Sequence, residues 1–220
     1  MGPLGRFSAI RNTVLLSLSA LVFLSFGCKV SLNPKVDPLP MIKPIPLDVG
    51  VYFSPEFRSY EYRYEGYKIS GEPGDKESFA IGEASVDLFN QLFQGMFKST
   101  VEVQQRPTLS SSGMKLAGVI EPNIEEFKLT KSQEQPGRRR RYRVQLTYRF
   151  TVYAPDGKIS VFWVSGRGRS TDRRFATTGK IYGEATDEAM KDAGKRFATR
   201  FLKIPEIQQW LESIGYSNHR

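Results

Sequence analysis

Apolar and polar residues alternate most regularly between Tyr142 and Val152. One face of this segment carries Tyr142, Val144, Leu146, Tyr148, Phe150 and Val152, and the other carries Arg141, Arg143, Gln145, Thr147, Arg149 and Thr151. A period of two predicts a strand with one buried face and one face in water. The Ala154-Pro155-Asp156-Gly157 segment that follows is typical of a turn. We therefore predict a hairpin whose second arm runs over residues 158–165 and ends in a Gly- and Arg-rich loop.

Four other segments have the composition of strands. Leu47 to Phe53 alternates, and so do Tyr60, Tyr62 and Tyr64, whose rings we expect to pack across strands rather than to stack on sugars. A short strand is predicted at Val101 and Val103. A longer one is predicted over residues 116–129, where Pro122 indicates a sheet edge or a bulge.

Two segments show the helical period instead. Residues 81–98 carry the stripe Ile81, Ala84, Leu88, Leu92 and Met96, flanked by three phenylalanines. Residues 183–203 carry Ala189, Ala193, Phe197 and Phe201 at intervals of four. Pro205 ends this second helix, and Ile207, Trp210, Leu211 and Ile214 predict a short terminal helix.

This order of elements predicts an α+β fold. Strands that are collected between two helices form a mainly antiparallel sheet, here of four to six strands. We expect the two main helices to pack on one face of the sheet and the short C-terminal helix to seal one end of the core. The other face, which carries arginine and threonine, is then exposed to water.

The N-terminal segment has the pattern of an export signal. Arg6 and Arg11 precede an apolar run from Val14 to Leu24, which ends in Ser25-Phe26-Gly27-Cys28. Eleven residues are too few for a helix that spans a bilayer, which needs about 20. The segment resembles a bacterial lipoprotein signal, in which the cysteine is diacylated, becomes the N-terminus after cleavage and is then acylated again. An ordinary signal peptide, or an anchor helix with a buried cysteine, is the alternative.

The resemblance divides the chain into three parts. Residues 1–27 form the signal peptide, and residues 28–46 hold the lipidated Cys28 and a tether with five prolines. At about 3.1 Å per residue, this tether would reach roughly 50 Å, and it serves as a spacer or as a docking strip for a partner. Residues 47–216 form a single periplasmic domain. In the resembling proteins Asp after the cysteine causes inner-membrane retention, so Lys29 implies the periplasmic face of the outer membrane.

Composition argues against most catalytic chemistry. Lys and Arg total 32 against 23 Asp and Glu, and the chain has one cysteine and one histidine, His219. A disulfide scaffold, a thiolate metal cluster and a Cys–His nucleophile pair are therefore excluded. Glu125 and Glu126 should point to opposite faces of a strand, and Asp187 and Glu188 should lie on a solvated helix surface. We predict a protein that is not an enzyme and needs no metal or cofactor, although a hydrolase using an unrecognised Ser or carboxylate stays a third alternative.

Arginines are the strongest candidates for binding. The six that we single out as ligand-binding residues are Arg139, Arg141, Arg143, Arg149, Arg167 and Arg169. Their guanidinium groups suit bidentate binding of phosphate or carboxylate, whereas the alternative is a merely solubilising surface. We expect the two clusters near opposite ends of the hairpin, connected by the polar strand face. An exported protein does not meet nucleic acid, so envelope anions are the expected ligands.

The signal ending Ser25-Phe26-Gly27-Cys28 and the element order over residues 47–214 resemble the LPS-assembly lipoprotein (rare lipoprotein B) family. They are also similar to auxiliary lipoproteins of lipid-transporting ABC systems. The resemblance implies a lipid-anchored accessory protein of envelope assembly or (glyco)lipid transport that acts in an envelope protein complex. We expect its arginine-lined strand face to contact anionic glycolipid or an acidic protein. A protein-docking module that activates a cell-wall synthase, or serves a secretion or motility complex, is the competing class.

Overall fold

The computed structural model describes residues 28–30, 32–34, 44–67, 73–105, 116–132, 141–155, 157–171 and 178–216. The predicted signal peptide, most of the predicted tether and Arg139 lie outside these residues. The strands are β1 (Cys28–Val30), β2 (Ile45–Val51), β3 (Tyr62–Tyr67), β4 (Pro73–Phe79), β5 (Phe97–Glu102), β6 (Gly118–Ser132), β7 (Arg141–Ala154) and β8 (Gly157–Thr171). The helices are α1 (Pro55–Arg58), α2 (Ile81–Met96), α3 (Thr178–Phe201) and α4 (Pro205–Ser213).

The α+β fold is confirmed, with five strands in the main sheet. Their order is β5-β2-β6-β7-β8, and a second sheet has the order β1-β4-β3. Strands β6, β7 and β8 form the predicted antiparallel part. Strand β2 runs parallel to both β5 and β6, so the main sheet is mixed. Alternation within β2 identifies its buried face, but it contains no information about the direction of the neighbouring strands.

Both long helices pack on the same face of the main sheet, as predicted. From α2, the Phe89 ring lies 4.9 Å from that of Tyr148 and 5.2 Å from that of Phe150. From α3, the Phe197 ring lies 4.5 Å from the Phe150 ring. All six residues of the predicted apolar face of β7, Tyr142 to Val152, are buried in this core. Helix α4 buries Ile207, Trp210 and Leu211, whereas Ile214 is exposed.

Strand β8 is longer than the sequence predicts. The segment from Gly166 to Thr171 continues the strand, so the expected Gly- and Arg-rich loop is wrong. The glycines serve close packing rather than a turn. A Cβ atom at Gly166 would lie 1.9 Å from the Ala189 carbonyl oxygen, and one at Gly168 would lie 1.8 Å from that of Ala185. Only a residue without a side chain lets α3 approach this closely.

Pro122 lies in β6, in the middle of the main sheet, and is nevertheless locally at an edge. Strand β2 pairs with β6 only over Gly118–Ile120, so beyond that point β6 has a single neighbour among the strands that the structure describes. A register shift follows between Ile124 and Glu126, where β6 contains one additional residue. Both features that Pro122 indicated, an edge and a bulge, therefore occur within a few residues of it.

The second sheet covers the end of the core near the start of α3. The Tyr62 ring lies 4.5 Å from Phe127 of β6, and the Tyr64 ring lies 5.0 Å from Tyr182 of α3. These contacts favour the packing interpretation of the tyrosines; Tyr60 precedes the strand. Strand β1 joins the same sheet by parallel pairing with β4. The division into signal, tether and domain stays a prediction.

Within the described ranges, no helix combines the length and the apolar composition that crossing a bilayer requires.

Candidate functional site

Four of the predicted ligand-binding arginines meet on one part of the main sheet. We call the side of β6, β7 and β8 that faces away from the helices the outer face. On it, Arg143 pairs with Arg169 across β7 and β8, Arg141 pairs with Thr171, and Gln145 pairs with Arg167. The four side chains are exposed. We refer to Arg141, Arg143, Arg167 and Arg169 as the arginine cluster.

The expected separation of the arginines along the hairpin is therefore wrong. An antiparallel hairpin brings together residues that are equally far from its turn. Because β8 continues through residues 166–171, Arg167 and Arg169 return to the level of Arg141 and Arg143. The two groups of arginines share the open end of the hairpin and need no polar strand to connect them.

Within the described residues, the positive charge of three members of this cluster, Arg143, Arg167 and Arg169, is uncompensated. Directly opposite Cβ atoms are about 5 Å apart, so Arg143 and Arg169 repel each other in the absence of an anion. No carboxylate of the described residues forms an ion pair with the guanidinium groups of Arg143, Arg167 or Arg169. The neighbouring Lys128 is already paired, with Glu126 at 2.6 Å. Several planar donors on one surface suit an anion with multiple oxygens, such as a phosphate.

Arg149 does not belong to the cluster. It lies six residues beyond Arg143 on β7, about 20 Å away at the usual rise of a strand. Its Nε lies 3.6 Å from Glu125 Oε2. Because of the bulge in β6, both Glu125 and Glu126 reach cations of the outer face, so the expectation that they point to opposite faces is wrong.

Helix α3 holds the backbone that carries the cluster. Asp192 Oδ2 accepts a hydrogen bond from the Arg167 backbone N–H at 2.9 Å, and Glu188 Oε2 accepts one from that of Arg169 at 2.6 Å. The Ser170 hydroxyl lies 3.2 Å from Glu184 Oε2. These acceptors, spaced by four residues, satisfy the free edge of β8, which would otherwise be open to pairing.

This row of acids is a functional feature that sequence reasoning missed. Glu188 binds the strand, and Asp187 Oδ1 accepts a hydrogen bond from the Asn33 backbone N–H at 3.2 Å. Burial raises the pKa of Asp187. The expectation of a solvated helix surface is therefore wrong for Asp187, whereas Glu188 is exposed as expected. The sequence does contain one indication of this row, because Glu184, Glu188 and Asp192 are spaced by four and therefore share one helix face.

The half of the outer face near the hairpin turn has a different character. Tyr153 donates a hydrogen bond to Glu121 Oε2 at 2.8 Å, and Arg149 is paired as described above. Trp163, which lies opposite Arg149, is 48% exposed. Arg200 of α3 donates to the Trp163 carbonyl oxygen at 3.0 Å. We call this region the distal half.

Buried hydroxyl groups inside the core serve packing. Ser85 Oγ lies 2.6 Å from the Ile81 carbonyl oxygen and 2.8 Å from the Tyr148 hydroxyl. Burial raises the pKa of Tyr148 well above its ordinary value. The pKa of Tyr182 is also raised, mainly by burial and to a smaller extent by the neighbouring Tyr64. In the part of the chain that the structure describes, no three His, Cys, Asp or Glu residues are grouped to hold a metal ion.

Comparison with known proteins gives distant structural matches but no family. No family model and no curated protein sequence matches the chain. A protein from Xanthomonas campestris of family DUF330 is 11% identical, covering 84% of this chain and 98% of its own, with a TM-score of 0.47. A homolog of a neuraminyllactose-binding hemagglutinin from Helicobacter pylori is 8% identical over the same shares, with a TM-score of 0.48. The rare lipoprotein B from Shewanella oneidensis is 14% identical, covering 76% and 95%, with a TM-score of 0.36. At these identities and scores, the function of this chain has to be argued from its own residues.

Proposed function

We propose that this chain is a lipid-anchored accessory protein of the bacterial envelope, without catalytic activity, and that its arginine cluster binds anionic glycolipid or phospholipid. Cys28 carries the acyl chains, and the domain acts in the periplasm on the inner side of the outer membrane. Its task is to assist a larger machine in envelope assembly or lipid transport.

The observation that carries this proposal is the register of β7 and β8. It places Arg143 opposite Arg169 and puts Arg167 on the next level of the same face. Like charges directly opposite each other destabilise a sheet, so their proximity is explained best by an anion that binds between them. Phosphate and carboxylate groups are the anions that bidentate guanidinium groups recognise.

Binding by a soluble form tests the proposal. This form lacks residues 1–27 and carries Cys28→Ser, and it is mixed with lipopolysaccharide or with vesicles that contain phosphatidylglycerol. Arg143→Ala with Arg169→Ala should weaken binding about a hundredfold or more, because each of the two lost charged hydrogen bonds contributes about 1.5–3 kcal/mol.

Arg149→Ala is the matched control, since Arg149 lies on the same strand face and is paired with Glu125. It should change the affinity less than about twofold. The absence of binding by the wild-type protein, or an equal loss in the control, would contradict the ligand part of the proposal.

The docking module is the competing function, and apolar surface should then matter more than arginine. The exposed large apolar residues of the described chain are Val101, Trp163 and Ile214. Val101 and Trp163 lie on opposite edge strands of the main sheet, about 19 Å apart at the usual strand spacing. They do not form one patch. A stoichiometric protein partner that is retained at high salt would favour docking over anion binding.

The anchor has a separate test. Mass spectrometry of the native protein should find Cys28 as the N-terminal residue, carrying the mass of the acyl chains. Fractionation of the two membranes tests the outer-membrane placement that Lys29 implies.

A further inference from the structure

The residue that carries the proposed anchor is seated on the domain itself. Cys28 pairs with Glu77 of β4, and Val30 pairs with Phe79. Glu77 is buried beside the first turn of α3, since a Cβ atom at Gly179 would lie 2.6 Å from Glu77 Oε1. A Cβ atom at Gly183 would lie 3.2 Å from Val30 Cγ1. Strand β1 therefore holds the backbone of Cys28 at the N-terminal end of α3.

The arginine cluster lies at this same end of the domain. Helix α3 runs antiparallel to β8, so Glu188 meets Arg169 whereas Arg200, three turns later, meets Trp163. The Tyr142 side chain, between Arg141 and Arg143 in sequence, packs on Tyr182 with 4.8 Å between the ring centroids. Gly179 and Glu184 are only about 7.5 Å apart along the helix axis.

A single packed path therefore connects the anchor to the cluster. It runs from β1 through Glu77 and Phe79 to Tyr182, whose ring lies 6.4 Å from that of Phe79, and from Tyr182 to Tyr142. We call the end of the domain that contains β1, the first turns of α3 and the arginine cluster the anchor end. The hairpin turn lies at the other end of β7 and β8.

We propose that the anchor end faces the bilayer into which the acyl chains insert, and that the arginine cluster binds the phosphate groups of lipids in that same leaflet. This inference rests on the lipidation and anion binding of the proposed function and names the source of the anion. An extended tether would let the cluster point in any direction. Pairing of β1 with β4 removes that freedom, so binding becomes intramolecular and is favoured by the high local concentration of headgroups.

Positional probes on the acylated full chain test this orientation. Cys28 is the only cysteine, so after its acylation an introduced cysteine is the only reactive thiol. Thr171→Cys places a fluorophore at the anchor end, and Lys158→Cys places one about 40 Å away along β8. Both positions are exposed. The protein is reconstituted into phosphatidylglycerol–phosphatidylcholine vesicles that contain a headgroup-labelled quenching lipid.

We expect severalfold stronger quenching of the probe at position 171 than of the probe at position 158. Arg143→Glu with Arg169→Glu should leave the protein on the vesicles but reduce this difference, whereas Arg149→Glu should preserve it. Vesicles of phosphatidylcholine alone should reduce the difference in the same way. Equal quenching at both positions, or stronger quenching at position 158, would overturn the inference.

The two proposals fail in different ways. If the soluble form binds anionic vesicles through Arg143 and Arg169 but the anchored protein shows no difference between probes, the orientation is wrong and anion binding stands. If the soluble form binds no anion, the proposed function fails, and the interaction that would orient the domain on the bilayer is absent. A native N-terminus other than acylated Cys28 would overturn the orientation even when the cluster binds anions.

Discussion

The two halves of the outer face use the same strands and the same residue type but differ in charge compensation. In the distal half, Arg149 lies 3.6 Å from Glu125, and Tyr153 donates to Glu121. In the arginine cluster, no described carboxylate pairs with Arg143, Arg167 or Arg169. Counting arginines does not distinguish these surfaces. The two surfaces differ in the positions of nearby carboxylates. A face whose arginines have carboxylate partners is solvated and neutral, whereas a face whose arginines lack them is suited to bind an anion.

The layers behind the two halves also differ. Behind the distal half, β8 turns Phe162 and Val164 into the core. Behind the cluster it turns Gly166 and Gly168 toward Ala185 and Ala189 of α3. The cluster therefore sits on a thin, tightly fitted contact between strand and helix. Substitutions at this contact should therefore have the largest effects on the stability of the fold.

Gly168→Ala should cause the largest loss of stability. Its Cβ would lie 1.8 Å from the Ala185 carbonyl oxygen, so α3 or β8 has to move, at a cost of about 3 kcal/mol. Gly194→Ala is the control in helix α3, on which Gly168 packs, because its Cβ would meet Leu88 and Leu92 at 3.9 Å. Better helix propensity should then raise stability by about 0.5–1 kcal/mol. Urea unfolding measures both changes, and an equal effect of the two substitutions would contradict the close packing.

Removing one charge from each half should change stability in opposite directions. Arg169→Gln relieves repulsion with Arg143 and should raise the free energy of unfolding by about 0.3 kcal/mol at low salt. Arg149→Gln breaks the exposed pair with Glu125 and should lower it by about 0.3 kcal/mol. Added salt should reduce both differences by screening. A loss of stability in both variants would mean that the cluster is compensated in the free protein.

The smallest effects are those of pH at two aspartates. Hydrogen bonds from Ser99 and Lys98 lower the pKa of Asp48, which lies in β2 near the distal half. Its stabilisation is present above the ordinary value of 3.8 and is lost as pH falls through its lower folded pKa. Burial raises the pKa of Asp187 at the anchor end, so its charge destabilises the fold above that folded pKa, and acidification relieves this cost.

Carboxyl NMR titration measures the two values, with Asp48→Asn and Asp187→Asn providing the assignments. Asp187 should titrate at a higher pH than Asp48. The reverse order would show that the Asn33 contact, rather than burial, dominates at Asp187.

Local features of the fold were predictable because they depend on neighbours in sequence. The alternation in β7, the stripe of α2 and the break at Pro205 each correspond to an observed element. Pro122 also indicated correctly that β6 is irregular. The end of β8 was not predictable in this way, since its glycines are typical of a loop and only the alanines of α3 give them a packing role.

Part of the candidate site was predictable for the same reason. Its residue types, and their position on the wet face of β7, follow from the alternation around Arg141 and Arg143. The neighbours of each arginine in the folded protein do not follow from this alternation. Whether Arg149 is paired depends on a bulge in another strand, and whether Glu188 has a backbone partner depends on the edge of β8.

The chain by itself determined which apolar faces of β7 and α2 are buried and which face of β7 is wet. Tertiary structure decided that Arg143 faces Arg169, that Arg149 finds Glu125, and that Cys28 is seated beside α3. Periodicity reports which way a side chain points relative to its own element. Strand partners are chosen by contacts between residues far apart in sequence, and these depend on the shape and charge of surfaces that exist only after folding.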